Sequence, residues 1–389
     1  MLRPRLLAGI VLTTAAGSAA AAEAAQRFDS EHGPVVVTEV ASGLEHPWSL
    51  AFLPDGRMLV TERPGRMRLI AADGTVSAPL EQVPEVHARG QGGLLDVVLA
   101  PDYADSRRIY FSYAEPRGGR NGTAVAHARL TDKALEDVTV IFRQRPDWEG
   151  QHHYGSRLVF DDRRRLYVTL GERNTARGPV KDREAAQSLE NHFGKVVRIQ
   201  ADGSVPPDNP YADGGKGRPE IWSYGHRNPQ GAALHPDTGM LWLNEHGPMG
   251  GDELNIARAG VNYGWPVITY GRDYSGAPVG DGITEAPGMA QPIHHWVPSI
   301  ATSGMAFYTA ERFAPWRGNL FVGSLKFGQL VRLELEGETV VHEERLLEGL
   351  NRRIRDVRLG PDGALYLLTD EADGRVLRIV LRIVLANTN

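Results

Sequence analysis

Leu53-Pro-Asp-Gly-Arg-Met-Leu-Val-Thr61 joins a turn to a strand. Proline presets the φ that a type I turn needs, aspartate helps to close it, and the apolar and β-branched residues that follow suit a pleated, half-buried ladder. The same phrase returns as Ala100-Pro-Asp-Tyr103 running into Arg108-Ile-Tyr-Phe-Ser112, as Phe160-Asp-Asp-Arg-Arg-Arg-Leu-Tyr-Val-Thr169, as His235-Pro-Asp-Thr-Gly-Met-Leu-Trp-Leu243 and as Gly360-Pro-Asp-Gly-Ala-Leu-Tyr-Leu-Leu368. Ala314-Pro-Trp-Arg-Gly-Asn-Leu-Phe-Val-Gly323 keeps the rhythm without the aspartate. Six strand entries leave about 60 residues per unit, enough for four strands and their loops. The expected fold is therefore all-β, a six-bladed β-propeller with Pro-Asp turns between its blades and long inter-strand loops forming a site at one mouth. The longest gaps run from Asp162 to Asp237 and from Asp237 to Trp316, which puts the insertions in the middle blades. A pair of β-sandwiches would not explain six similar strand entries. A short helix is expected from Arg183 to Asn191.

Composition agrees with this reading. Among 389 residues, 44 glycines and 25 prolines leave little room for long helices. The absence of cysteine excludes disulfides, thiolate metal sites, iron–sulfur clusters and a thiol nucleophile. Arg3 and Arg5, the apolar run Leu6 to Leu12 and the Ala-rich run Ala19 to Ala25 have the layout of a secretory signal peptide. Residues 1–22 are read as that signal, with cleavage between 22 and 25, and 26–389 as a single propeller domain that is periplasmic or secreted. The apolar run is too short to span a bilayer, so no membrane insertion is expected. A formal net charge of −5 gives no basic field for nucleic acid.

Metalloprotease, serine-hydrolase, Walker A and dinucleotide-binding motifs are absent. Four other segments concentrate polar groups among glycines and prolines. In Gly150-Gln-His-His-Tyr-Gly-Ser-Arg-Leu-Val-Phe160, His153 precedes a strand entry where a side chain can reach the channel mouth as a general base; a structural histidine reads as well. Arg227 and Asn228, held by Pro229 and Gly231, offer a planar donor fork for a carboxylate-bearing ligand, or a brace for the loop. Leu243-Asn-Glu-His-Gly-Pro-Met-Gly-Gly-Asp-Glu-Leu254 presents backbone carbonyls and the acids Asp252 and Glu253, a set that suits a hard cation or simply a tight loop. Lys326, Arg353 and Arg355 gather positive charge late in the chain. The two arginines stand two apart in a strand, on one face, which points to an anionic partner.

"GQGGLLDV", "RNPQG", "NEHGPMGGDELN", "NYGWP", "SGMAFY" and "RIRDVRLGPDGALYLLTDE" resemble the soluble PQQ-dependent aldose sugar dehydrogenases of the glucose/sorbosone dehydrogenase family, over nearly all of the chain after the signal. The resemblance implies a six-bladed propeller, export, pyrroloquinoline quinone (PQQ) and Ca²⁺. It makes His153 the base, and Gln91, Arg227, Asn228, Tyr274, Lys326, Arg353 and Arg355 the contacts to PQQ. It implies that the carbonyls of Gly247 and Pro248 hold the calcium beside PQQ, and that Glu253 and Tyr263 belong to a second, structural calcium site. The family's Gly-Gly-Arg after the base is here Gly155-Ser156-Arg157, and His152 adjoins His153. The tail repeats itself as Leu377-Arg-Ile-Val-Leu-Arg-Ile-Val384.

The activity expected is oxidation of an aldose at its anomeric hydroxyl to the lactone, with hydride transfer to the quinone and electrons passed to an external acceptor. A calcium-dependent lactonase would need the cation without a redox cofactor, and a non-catalytic binding propeller would have lost the His or Arg-Asn residues. Sugar preference and oligomeric state, monomer or homodimer, stay open at this level.

Overall fold

The structure, a computed structural model, describes residues 25–175 and 184–382. The expected signal peptide lies outside these residues. Six antiparallel sheets follow one another along the chain. Blade 1 comprises Pro47–Phe52, Met58–Glu62 and Arg66–Ile70; blade 2 comprises Leu94–Leu99, Arg108–Arg117, Arg120–Leu130 and Leu135–Arg143. Blade 3 is built from Gly155–Phe160, Leu166–Leu170, Lys195–Ile199 and Ile221–Tyr224, and blade 4 from Pro229–Leu234, Leu241–Glu245, Asp252–Ile256 and His294–Trp296. Blade 5 contains Thr302–Phe307, Leu320–Ser324, Leu330–Glu336 and Thr339–Leu346. Blade 6 takes Ile354–Leu359, Leu365–Thr369 and Gly374–Leu381 from the end of the chain, then Val35–Leu44 and Gln26–Phe28 from its beginning. The six-bladed β-propeller expected from the repeats is what forms.

Each Pro-Asp phrase leads into the second strand of a blade, so these turns lie inside blades and not between them, contrary to expectation. At Leu53–Arg57 the turn closes with Leu53 N–H to the Arg57 carbonyl at 2.8 Å. The reason is geometric: a four-residue turn joins adjacent antiparallel strands, whereas passage to the next blade must run from the rim back to the axis.

Apolar side chains pack in six seams, one for each neighbouring pair of blades, including the pair of blades 6 and 1 that closes the circle. First strands contact the first strands of adjacent blades and line the central channel. There Asp96 and Asp356 face Arg157 and Arg358, all buried or nearly so, in four ion pairs of 2.8–3.1 Å.

The long insertions fall where expected, between Leu170 and Lys195 and between Ile256 and His294. The helix expected from Arg183 to Asn191 does not form among the described residues 184–191, which make turns. The buried Lys195 ammonium donates to the carbonyls of Ala185, Ala186 and Phe193 and gathers the segment around itself. The helices described are the short Tyr103–Ser106 and the 3₁₀ turn Ala314–Trp316, and none is long and apolar enough to cross a membrane.

Candidate active site

His153 and Glu172 meet through the register of one hairpin. Gly155 pairs with Leu170 at the open end of the first two strands of blade 3, which brings the residues just beyond each strand together. His153 Nδ1 lies 2.5 Å from Glu172 Oε1, and Glu172 Oε2 accepts from the Thr175 backbone N–H at 2.7 Å and its hydroxyl at 3.1 Å. Gln91 Oε1 accepts the His153 backbone N–H at 2.8 Å. Gly171 is required here, because a Cβ would stand 2.1 Å from the His153 carbonyl oxygen. The imidazole is buried on a left-handed backbone, φ 52°. His152 points outward, and its carbonyl accepts from Arg173 Nε.

Electrostatics keep this imidazole neutral. Burial, then the positive charge of Arg227, push His153 down to about 4, against the opposing pull of Glu172. Burial opposes ionisation of Glu172, but His153, Arg227 and the Thr175 N–H hold it below the ordinary carboxylate value. A neutral imidazole whose Nδ1 donates to a carboxylate leaves Nε2 as the basic atom. Other histidines near the mouth are committed: His226 bridges Glu245 and Ser223, His46 meets Asp370, and His246 Nε2 meets the Thr302 carbonyl. Glu172 was not singled out from the sequence.

Gln91, Asn228, Pro248, Tyr274, Lys326, Arg353 and Arg355 line one cavity of about 1010 Å³, together with Tyr154 and Gly155 next to His153. Arg227 and Pro248 border an adjoining cavity of about 440 Å³ walled by Trp265, over which the Arg227 guanidinium stacks. The structure thus collects the residues assigned to the cofactor on one mouth. Asp370 tempers the expected repulsion between arginines, at 2.8 Å from Arg355 and 3.3 Å from Arg353. This buried carboxyl is driven well below its usual range by Arg355 and its neighbours, although burial opposes that. Unused donors remain nonetheless: Nε of Arg227 and Nε of Arg355 are buried without a hydrogen-bond partner. Orphaned guanidinium donors beside a cationic cavity fit a polyanionic, flat ligand.

Gln230, also missed from the sequence, ties this cavity to the channel. Its Oε1 accepts from Arg355, its Nε2 donates to Asn228 Oδ1, and its carbonyl accepts from Arg157 of the buried quartet.

The expected cation positions are of two kinds. Arg227 Nη1 donates to the carbonyls of His246 and Gly247 at 3.0 and 2.7 Å, so this corner already holds a positive group. Gly247 is obligatory, since a Cβ there would come within 2.2 Å of the Gly250 carbonyl. Among the described residues no group of three or more His, Asp or Glu forms a metal cage, so a cation here would depend on carbonyls such as those of Gly247 and Pro248. Glu253 and Tyr263 lie away from that cavity. Glu253 is pushed up to about 8 by burial and by Glu245, and Asn255 Nδ2 bridges the two carboxylates while its Oδ1 has no partner. Two carboxylates and an unused amide oxygen fit a hard cation. Tyr263 could supply only its backbone, because its phenol donates to the Ile256 carbonyl and accepts from the Arg258 N–H.

Comparison with known proteins agrees with this geometry. The sequence profile of the Glucose / Sorbosone dehydrogenase family matches residues 44–378. The chain is 48% identical to aldose sugar dehydrogenase YliI of Escherichia coli over 86% of its own length and 90% of the relative's. A solved glucose dehydrogenase superposes with a TM-score of 0.85 at 52% identity, covering 89% of this chain and 99% of that one. The PQQ-bound aldose sugar dehydrogenase of Streptomyces coelicolor superposes with a TM-score of 0.72 at 28% identity, covering 89% and 98%. The chain belongs to the glucose/sorbosone dehydrogenase family, and is a sugar-oxidising oxidoreductase.

Proposed function

We propose that the protein oxidises aldoses at the anomeric C1 hydroxyl to the lactone, with PQQ and Ca²⁺ as cofactors, and passes the electrons to an external acceptor. The observation that carries this reading is the His153–Glu172 pair, a neutral buried base beside a cationic cavity. Bound PQQ supplies an electrophilic carbonyl that accepts hydride, and calcium beside it strengthens that character. His153 Nε2 takes the hydroxyl proton of the sugar while Glu172 keeps Nδ1–H fixed and offsets the imidazolium charge. Arg227 and Asn228 would orient the reacting end, and the carbonyls of Gly247 and Pro248 would hold the cation. Lys326, Arg353 and Arg355 hold carboxylates, Gln91 fixes the backbone of the base, and Tyr274 covers the mouth. Glu253, with the backbone of Tyr263, holds the second calcium as a structural ion. Residues 1–22 direct export to the periplasm or beyond.

The test is reconstitution with PQQ and Ca²⁺ and assay with glucose and a phenazine dye. His153→Ala should retain PQQ absorbance and lose about 10²–10⁴-fold in turnover. His152→Ala should keep full rate. Undiminished turnover in His153→Ala overturns the assignment of the base.

A further inference from the structure

Large apolar side chains exposed to solvent are few among the described residues; three of them, Met249, Tyr274 and Val297, line the cofactor cavity, and a fourth, Phe327, packs against Lys326 of its lining. Met249, Tyr274 and Val297 form its lip, with Tyr274 60% and Val297 63% exposed, and Phe327 follows Lys326 in the same rim loop. Val267 and Ile283 belong instead to the loop over the adjoining cavity, where Asp273 and Asp281 make the surface acidic. An apolar patch at the opening of a site marks a place where something docks.

Charge specifies what docks. Five cationic side chains, Arg63, Arg272, Lys326, Arg353 and Arg355, line the cavity against the single carboxylate Asp370, in a chain whose net charge is −5. Arg272, Lys326 and Arg353 reach solvent. A tricarboxylate and a divalent cation bound inside would leave that mouth positive. The molecule is thus acidic overall and basic at this mouth. Such an asymmetry orients an incoming anionic protein and repels a basic one.

We infer that the Met249–Tyr274–Val297–Phe327 lip is the docking surface for an acidic protein that carries one electron at a time, such as a c-type cytochrome with negative charge around its haem edge. The inference rests on the dehydrogenase reading above. Oxidation of one aldose to the lactone releases two electrons and two protons. Two ferric carriers in succession each take one electron and leave ferrous, and both protons pass to solvent.

The experiment uses the protein loaded with PQQ and Ca²⁺, glucose, and three acceptors: a phenazine dye, an acidic c-type cytochrome and a basic c-type cytochrome. The acidic cytochrome should be reduced at least tenfold faster than the basic one at low salt, and this advantage should collapse between 20 and 200 mM salt, roughly the range in which surface charges become screened. The variant Phe327→Glu, whose side chain does not line the cavity, should lose about tenfold toward the acidic cytochrome and keep its dye turnover, which also shows that it is folded. Equal, salt-independent reduction of both cytochromes overturns the docking surface. So does a dimer, seen by light scattering, that the same variant dissociates, since a second copy would then cover the lip. Failure to reduce even the dye overturns the dehydrogenase reading itself, together with what rests on it.

Discussion

The carboxylate behind the base is the residue whose removal is most informative. Glu172→Gln keeps the size of the side chain but removes the charge that offsets imidazolium and favours one tautomer. Turnover at saturating PQQ should fall by about 10²-fold, with the absorbance of bound PQQ unchanged. His153 also makes stability depend on pH. Its folded value of about 4 lies below the ordinary 6.5, so the unfolded chain takes the proton first. Stability is therefore full above about pH 6.5 and declines as pH falls toward 4, by about 3 kcal/mol from this group. Denaturant titrations of His153→Gln should show a shallower decline between pH 7 and 4 than the wild type. The polar pair His152-His153 before a strand marked the place, and the family resemblance, not the pattern, made His153 the expected base. Glu172 was concealed in Leu-Gly-Glu-Arg-Asn, although the Asp161–Arg165 turn fixes a register that places it opposite His153. Ser156 shows a similar logic: its φ of 92° is one that glycine tolerates best, although the residue here is serine.

Strands and turns account for what the repeat could and could not reveal. Six phrases identified six second strands, because a tight turn leaves a local signature. The blade boundaries went unread, because a crossing from rim to axis has no fixed residue pattern. The helix expected at 183–191 failed for a tertiary reason, the buried ammonium of Lys195 competing for its carbonyls. The first strands carry the strongest energetic statement. Asp96→Ala would leave Arg157 and Arg358 buried with half their counter-charge, a change that costs about 3–5 kcal/mol in such settings. Chemical denaturation should report that loss. Gln230→Leu should act differently, because it cuts the link between this quartet and Arg355. PQQ affinity should fall about tenfold by fluorescence titration, with turnover at saturating PQQ unchanged, since His153 and Glu172 are untouched. A loss confined to turnover would place Gln230 with the base instead.

At the scale of the molecule, everything depends on how the ring shuts. Val35–Leu44 from the start of the chain pairs with Gly374–Leu381 from its end, so one blade is made from both termini. The first copy of the repeated tail, Leu377-Arg-Ile-Val380, belongs to that strand; the second begins at Leu381, and its end lies outside the described residues. The cofactor cavity takes Gln91 from the approach to blade 2, Asn228 from blade 4, Lys326 from blade 5 and Arg355 from blade 6, so it exists only in the closed ring. Val37 is buried opposite Ile379 where the two ends of the chain pair, and packs with Leu377 in the apolar layer between blades 5 and 6. Val37→Asp would bury an unpaired carboxyl there and should cost several kcal/mol. Val341→Asp, on an exposed outer strand, should change stability by no more than about 0.5 kcal/mol. A ligand that needs the closed ring must also oppose its opening. At about a hundred times its dissociation constant PQQ should return roughly 2.7 kcal/mol, and so restore much of the melting temperature lost in Val37→Asp. Scanning calorimetry with and without PQQ decides the point: a melting temperature that PQQ leaves unmoved would mean that the cavity does not need the seam between the two ends of the chain.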